Sequence, residues 1–375
     1  MAALLFFSCG GAEKQSVVVI QPGGSGSSSG EQTETGGGTG ENGTGGSASS
    51  PFVLGSDVSW LSEMEQDGKT FKGTDGREED LFTILKSLGQ KAIRLRVWVD
   101  PEGGWSGKED VTSLAKRASA AGMDIMIDFH YSDFFADPSR QTVPAAWEAD
   151  IADIDAMCAH VEDHTREILT ALKEAGVTPR WVQTGNETRN GMLWPLGQIW
   201  TDSGRTASGK ANFIRLVNAG YGAAKSVFPD SEVLVHLDNA YEDNDWWFSE
   251  MSSSGAKFDA IGLSHYPQTN PSMTWEKMNS AAAARISALG KKYSCPVLIS
   301  EVGTKSSDFT LAAKVMTGFL DAIRDIDSVE AVFYWEPEVY GWWKPSIYAT
   351  LGWNAYDMGA FLEDGSPSGV MTAFH

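Results

Sequence analysis

Two segments of the chain, Val182-Gln183-Thr184-Gly185-Asn186-Glu187 and Val297-Leu298-Ile299-Ser300-Glu301-Val302-Gly303, each carry a strand-like run into a glutamate and then into loop residues. A carboxylate where a strand meets solvent is held by rigid backbone on one side and open to a ligand on the other. Two such groups can divide acid, base and nucleophilic work on a glycosidic bond between them. Asn186, directly before Glu187, adds an amide able to hydrogen-bond a sugar hydroxyl beside the scissile bond. Other carboxylates near strand ends compete for these roles: Asp57, Asp128, Asp133, Asp238, Glu336 and Glu338.

The elements that position these groups are legible from Phe52 onward. Apolar runs bounded by turn residues predict eight strands: Val53 to Asp57, Ala92 to Trp98, Asp124 to His130, Trp181 to Glu187, Glu232 to Asp238, Asp259 to Tyr266, Pro296 to Glu301 and Ala331 to Glu336. Helical patterns lie between them at Glu79 to Leu88, Val111 to Ala121, Asp153 to Ala175, Lys210 to Val227, Met278 to Lys292 and Leu311 to Asp325. Eight such alternations predict an α/β fold, a (β/α)8 TIM barrel. A doubly wound sheet would need a Gly-rich phosphate turn after its first strand, and Ser56-Asp57-Val58-Ser59-Trp60 has no glycine.

In such a barrel, functional groups gather at the C-terminal ends of the strands. Glu187 then ends the fourth strand and Glu301 the seventh, facing each other across the mouth; a retaining mechanism needs them about 5 to 5.5 Å apart. Arg94, Arg96 and Trp98 alternate along the second strand and share one face, expected to point inward. Two buried guanidinium groups need anionic partners, either in an internal salt bridge or in a catalytic carboxylate that they keep ionised. Asp128-Phe129-His130-Tyr131-Ser132-Asp133, Ser264-His265-Tyr266-Pro267 and Tyr334-Trp335-Glu336-Pro337-Glu338 bring further donors and aromatics to the same rim, with His130 and His265 expected to meet a ligand. No His-rich set is present, so a catalytic metal is not expected.

At 375 residues with 42% hydrophobic content, the chain has ample apolar surface for one large barrel. A formal net charge of -21 repels phosphate backbones and anionic membranes, which excludes nucleic acid as a partner and favours a neutral ligand. Fourteen Trp residues offer flat faces on which the C–H surface of a sugar can stack. Cys9, Cys158 and Cys295 lie too far apart in sequence for a disulfide framework or metal-ligand spacing; Cys158 and Cys295 read as buried thiols, with a single bridge between them left open. From Gly23 to Ser50 the chain is almost entirely Gly, Ser, Thr and Glu, a flexible tether. Before it, Ala2 to Phe7 is an apolar run too short to span a bilayer, ending at Ser8-Cys9-Gly10-Gly11. It reads as the end of a bacterial lipoprotein signal with Cys9 acylated. The expected organisation is a signal remnant at 1–9, a linker at 10–51 and a catalytic domain at 52–375, exported and tethered at the outer membrane or cell surface.

The chain resembles clan A glycoside hydrolases at Asn186-Glu187 and Glu301, and within them family 53, the endo-β-1,4-galactanases. The resemblance is carried by Ile93-Arg94-Leu95-Arg96-Val97-Trp98-Val99-Asp100-Pro101, Leu114-Ala115-Lys116-Arg117-Ala118, Ala121-Gly122-Met123, Asp128-Phe129-His130-Tyr131-Ser132-Asp133 with Ala136-Asp137-Pro138, and Pro144-Ala145-Ala146-Trp147. Asn190-Gly191-Met192-Leu193-Trp194-Pro195 and Phe333-Tyr334-Trp335-Glu336-Pro337 extend it, so that it covers Phe52 to the C-terminus. It implies that Glu187 is the acid/base and Glu301 the nucleophile, oriented by Arg94 or Arg96. It also implies that Asn186, His130, Asp133, His265, Tyr266 and Trp335 line the subsites nearest the cleavage point, with Trp98, Trp194, Trp342, Trp343 and Trp353 stacking further along. The substrate would be β-1,4-galactan and its galacto-oligosaccharides, acted on by a monomer. No cofactor is implied, beyond a structural calcium for which Asp357, Glu363 and Asp364 could supply oxygens if they are not simply surface acids. A clan A hydrolase of mannan or xylan, a non-catalytic glycan-binding lipoprotein and a metal-dependent barrel hydrolase remain as alternatives. Departures from the family pattern sit at Thr188-Arg189, at Val302-Gly303-Thr304 and in the Trp-rich loop from Glu338 to Asp364.

Overall fold

Strands rich in Val, Ile and Leu on both faces, separated by helix-length segments, satisfy their backbones by pairing in parallel beneath a helical cover. In the computed structural model, which describes residues 52–348 and 357–374, this produces a closed eight-stranded parallel barrel. Its strands are β1 (Val53–Asp57), β2 (Ala92–Val97), β3 (Asp124–Phe129), β4 (Trp181–Thr184), β5 (Glu232–Leu237), β6 (Ala260–His265), β7 (Val297–Val302) and β8 (Val329–Trp335). Each pairs with its sequence neighbours, and β8 closes on β1 through Val53↔Ala331 to Asp57↔Trp335. The predicted tether and Cys9 lie outside the described residues, as does Trp353.

Besides a short helical segment at Leu61–Gln66, the described residues form the helices α1 (Leu81–Ser87), α2 (Lys108–Ala120), α3 (Ile154–Glu174), α4 (Ala207–Val227), α5 (Asp245–Ser253), α6 (Trp275–Tyr293), α7 (Phe309–Ile323) and α8 (Gly369–Ala373). Several starts are set by side-chain caps: Asp80, Asp153, Asp308 and Ser368 each accept a backbone N–H from the first turn. Helix α5 was not anticipated, because its nine residues carry too few turns to show a period. It is held by burial of Trp247, Phe248 and Met251.

The barrel interior is layered. Ala92, Met126, Trp181, Leu234, Ala260, Leu298, Ala331 and Phe333 form an apolar plug, a cluster separate from the larger one between strands and helices. Above it the inward positions turn polar: Asp57, Arg94, Asp128, Gln183, His236, Ser264 and Glu301 are all buried. Phe333 reaches across the plug to meet Trp181 edge-on at 5.7 Å, and its strand partner is Gly55. A Cβ on Gly55 would lie 2.8 Å from the Phe333 ring and 2.6 Å from the Ala92 carbonyl oxygen, so the position takes no side chain. Gly55→Ala is therefore expected to destabilise the barrel by about 1–3 kcal/mol through overpacking. The check is the midpoint of chemical denaturation, and an unchanged midpoint would show that the plug yields.

Candidate active site

Arg94 stands at the centre of the polar layer. It is 1% exposed, and one guanidinium serves four partners: Nη1 donates to Asp57 Oδ2 at 2.7 Å, and Nη2 donates to Asp128 Oδ2 at 2.7 Å and Asn186 Oδ1 at 2.9 Å. Nη2 also lies 2.9 Å from Glu301 Oε1. A buried guanidinium is tolerable only with such compensation. The same contacts fix Glu301 and Asn186, from opposite sides of the mouth, to one rigid group.

Two departures from regular strand geometry aim the glutamates. On β7, Leu298 packs in the plug and Ile299 among the outer core residues, so strict alternation would send Glu301 outward. Instead the register slips by one residue: Leu263↔Ile299 is followed by Ser264↔Glu301, and Ile299↔Val332 by Val302↔Tyr334. The bulge at this point turns Glu301 into the mouth. On β4, the strand was expected to reach Glu187 but ends at Thr184. Gly185 takes φ 95° and Glu187 itself φ 47°, both left-handed. A side chain at Gly185 would also strike Thr188 Cγ2 at 2.6 Å. The sharp turn lifts Glu187 clear of the pleat.

The two carboxyl groups have different surroundings. Burial pushes Glu301 up, but Arg94 and a 2.7 Å hydrogen bond from the Tyr266 hydroxyl oppose that rise. Glu187 is partly exposed yet ringed by protein; burial, then the Glu301 charge, then the Asp238 charge push it well above the usual carboxylate range. Glu301 therefore loses its proton first and Glu187 keeps its own. For Asp128, burial would raise the carboxyl, but Arg94 and His130 outweigh it and hold the group low. Tyr266 is pushed up by burial and then by Glu301, so it remains a neutral donor.

Several sequence-derived site residues occupy other roles. Arg96 does not reach Glu301: it pairs with Glu336 and is caged by the rings of Trp60, Trp98 and Phe135, at 3.9, 4.9 and 4.7 Å from their centroids. Trp98, 1% exposed, is a wall of that cage and has no free face for a sugar. Arg94 likewise touches carboxylates and an amide rather than solvent, so it positions groups instead of binding substrate. His265 falls on the outward side of β6, with Nε2 2.8 Å from Asn279 Oδ1 on α6 and its ring 4.4 Å from Phe319 on α7. Strand alternation puts Ser264 and Tyr266 inward and the residue between them outward. His130 has both ring nitrogens occupied: Nε2 donates to Asp128 and Nδ1 accepts the Ala136 N–H. Asp133 accepts the backbone N–H groups of Asp100 and Ala145, stapling loops together. Trp343 is buried with Nε1 on Asp67, Trp194 is half-buried, and Trp342 is 79% exposed.

Asn186, Tyr266 and Trp335 do converge with the glutamates. Asn186 Nδ2 donates one hydrogen to the Ala136 carbonyl at 2.8 Å and retains a second. Trp335 is half-buried and meets Tyr266 edge-on at 6.0 Å. Sequence reading missed His236, which sits under Glu187: Nδ1 is 2.9 Å from Asn186 Oδ1, and Nε2 is 2.9 Å from Ser264 Oγ. Burial holds its imidazole neutral. The available signal was a lone histidine at an inward position of an otherwise apolar strand. Gln183 joins the same network, donating to Asp128.

Among the described residues no group of three or more His, Cys, Asp or Glu side chains is arranged to hold a metal. Asp364, one of the calcium candidates, is committed to Lys72 and to the Ser366 N–H and hydroxyl. Cys158 and Cys295 are free thiols.

Residues 53–367 match the family model described as glycosyl hydrolase family 53. An arabinogalactan endo-beta-1,4-galactanase of Thermothelomyces thermophilus is 31% identical over 345 residues, covering 84% of this chain and 97% of that protein. Among solved structures, a fungal beta-1,4-galactanase superimposes with a TM-score of 0.73 at 28% identity, covering 86% of this chain and 98% of the other. A family 53 catalytic domain from Ignisphaera aggregans gives 0.74 at 26% identity, covering 87% and 96%.

Asp238 offers a direct check on the electrostatics. Its negative charge helps to keep Glu187 protonated, and Arg189 Nε holds it at 2.6 Å. Removing that charge in Asp238→Asn should lower the pKa of Glu187. If Glu187 is the acid and Glu301 the nucleophile of glycoside cleavage, the alkaline limb of the kcat/KM pH profile should move to lower pH, while the acid limb stays closer to its place. An alkaline limb that stays put or moves upward would contradict the coupling.

Proposed function

The chain belongs to glycosyl hydrolase family 53, and we propose that it is a retaining endo-β-1,4-galactanase in which Glu301 is the nucleophile and Glu187 the acid/base. The observation that supports this best is the asymmetry of the two carboxyl groups: one is held by Arg94 and Tyr266, the other is kept protonated by burial and by its partner's charge. Glu301 attacks the anomeric carbon while Glu187 gives its proton to the departing glycosidic oxygen, leaving a galactosyl ester on Glu301. Glu187, now ionised, takes a proton from water, which displaces Glu301 and releases the sugar with its anomeric configuration retained.

The remaining residues act on that reaction. Arg94 and Tyr266 hold Glu301 as a single rotamer, which keeps the attacking oxygen in place without reorganisation. In this reading the second Asn186 N–H donates to the hydroxyl next to the reacting carbon, and Trp335 packs against the sugar. The substrate is linear galactan and the galactan portion of arabinogalactan. Export, and acylation at Cys9 that would tether the enzyme at the outer membrane or cell surface, are supported by the apolar run before Ser8-Cys9-Gly10-Gly11 and the Gly/Ser-rich stretch after it. Feeding labelled palmitate to expressing cells should mark the full chain and not Cys9→Ser; equal labelling of both would end that reading.

Glu301→Gln should fold normally by circular dichroism and lose galactan turnover, and near-native turnover would remove Glu301 from the mechanism. Glu187→Ala should lose about 10²- to 10⁴-fold on galactan, the usual range for general acid catalysis. Its loss should be much smaller on an aryl glycoside whose leaving group departs without a proton. A panel of galactan, mannan and xylan with product sizing checks the substrate class.

A further inference from the structure

Away from the glutamates, two indoles stand exposed beside each other on the same end of the barrel. Trp200, 39% exposed, lies in the β4–α4 connection, and Trp246, 40% exposed, lies at the start of α5, just after the β5–α5 connection. Both connections follow strand C-termini, so the pair shares the face that carries Glu187 and Glu301. Their ring centroids are 6.4 Å apart with planes inclined at 77°.

The pair sits on built structure. Trp200 begins a small antiparallel hairpin, Trp200–Thr201 against Gly204–Arg205. Asn190 grips its backbone from both sides: Oδ1 accepts the Trp200 N–H at 2.6 Å and Nδ2 donates to the Trp200 carbonyl at 3.1 Å. Asn190 closes the short helical turn Thr188–Asn190 that starts directly after Glu187. On the other side, the Arg205 guanidinium lies over the Trp200 ring, 5.1 Å from its centroid, and pairs with Glu250, one helical turn beyond Trp246. The turn that follows Glu187 thus carries Asn190, which holds the Trp200 backbone, and Arg205 joins the Trp200 ring to Glu250 on the helix that bears Trp246.

We propose that Trp200 and Trp246 form a distal binding platform for the galactan chain on the leaving-group side of the cleft, an inference that rests on the reading of Glu187 as the acid. The acid delivers its proton to the oxygen that departs with the reducing-end fragment, so that fragment lies toward the acid's side of the mouth, where β4 and β5 end. Galactose suits an indole: its axial C4 hydroxyl gathers the C–H bonds of C3, C4 and C5 on one apolar face. Linkage through that axial position also bends the chain, so successive rings do not lie in one plane. Two inclined indoles match such a chain better than they match a flat ribbon of equatorially linked sugars.

The test compares wild type with a Trp200→Ala/Trp246→Ala double variant on long linear galactan and on a short aryl galactoside. The ratio of kcat/KM for polymer to that for the aryl substrate should fall about tenfold, through KM, the scale of one good aromatic contact. Phe at both positions should restore part of it. An unchanged ratio, or an equal loss on both substrates, would overturn the platform. If wild type cleaves no galactan at all, the functional reading fails instead. The platform is then judged by affinity electrophoresis in gels containing linear galactan, where equal retardation of wild type and double variant would overturn it.

Discussion

One buried positive charge organises the mouth of this barrel. Arg94 lies on an inward position of β2 with no access to solvent, and Asp57, Asp128, Glu301 and Asn186 all converge on it. Removing Arg94 would leave buried carboxylates uncompensated at a depth where water cannot replace it, a loss that typically costs about 3–5 kcal/mol. The partners come from β1, β3, β7 and the turn that follows β4, so a single guanidinium on β2 ties together more than half of the barrel's strands at the level of the mouth. Stability and the placement of Glu301 and Asn186 are, at this point, one set of bonds.

The same charge count explains why the carboxyl groups of Glu187 and Glu301 differ. Negative groups outnumber the guanidinium groups in this layer: Asp57, Asp128, Glu301 and Glu336 already share Arg94 and Arg96. A further carboxylate brought into the layer has no cation left nearby to ionise against. Glu187 accordingly holds its proton, and so does Glu338, pushed well up by burial and by the Glu336 charge, with one oxygen accepting the Trp60 N–H. Arg96, caged by aromatic rings, spends its charge on Glu336 and stands apart from Glu187 and Glu301. Two arginines two residues apart on one strand thus do separate work, because each reaches a different depth of the mouth.

Much of the architecture was legible in the chain. All eight strands were anticipated, and all but β4, which stops three residues short at Thr184, close to their observed ends, because long β-branched runs alternating with amphipathic segments leave few other ways to satisfy the backbone. Helix α5 escaped notice because nine residues are too few to show a period. At the site, the family strings pointed to Glu187, Glu301, Asn186, Tyr266 and Trp335, which the fold brings together. They also drew in His265, His130, Asp133, Arg96 and Trp98, whose side chains turn out to be spent on Asn279, Asp128, backbone amides, Glu336 and the aromatic cage. A residue's type and its nearness to a strand end do not say which face it occupies once the strand bends.

By itself, the sequence determined the chemical inventory and the order of elements: two carboxylates at strand ends, arginines on an inward face, and a barrel to carry them. Only the tertiary structure decided which groups meet. The bulge on β7 adds one residue to the register and turns Glu301 inward, and the left-handed turn at Gly185 and Glu187 does the equivalent for its partner. Neither is visible in a hydrophobic pattern, since a single extra residue inverts the facing of everything beyond it while leaving composition unchanged. The partition of protons between Glu187 and Glu301 follows from those two local distortions, because charges act over a few ångströms of space and not over positions in the chain.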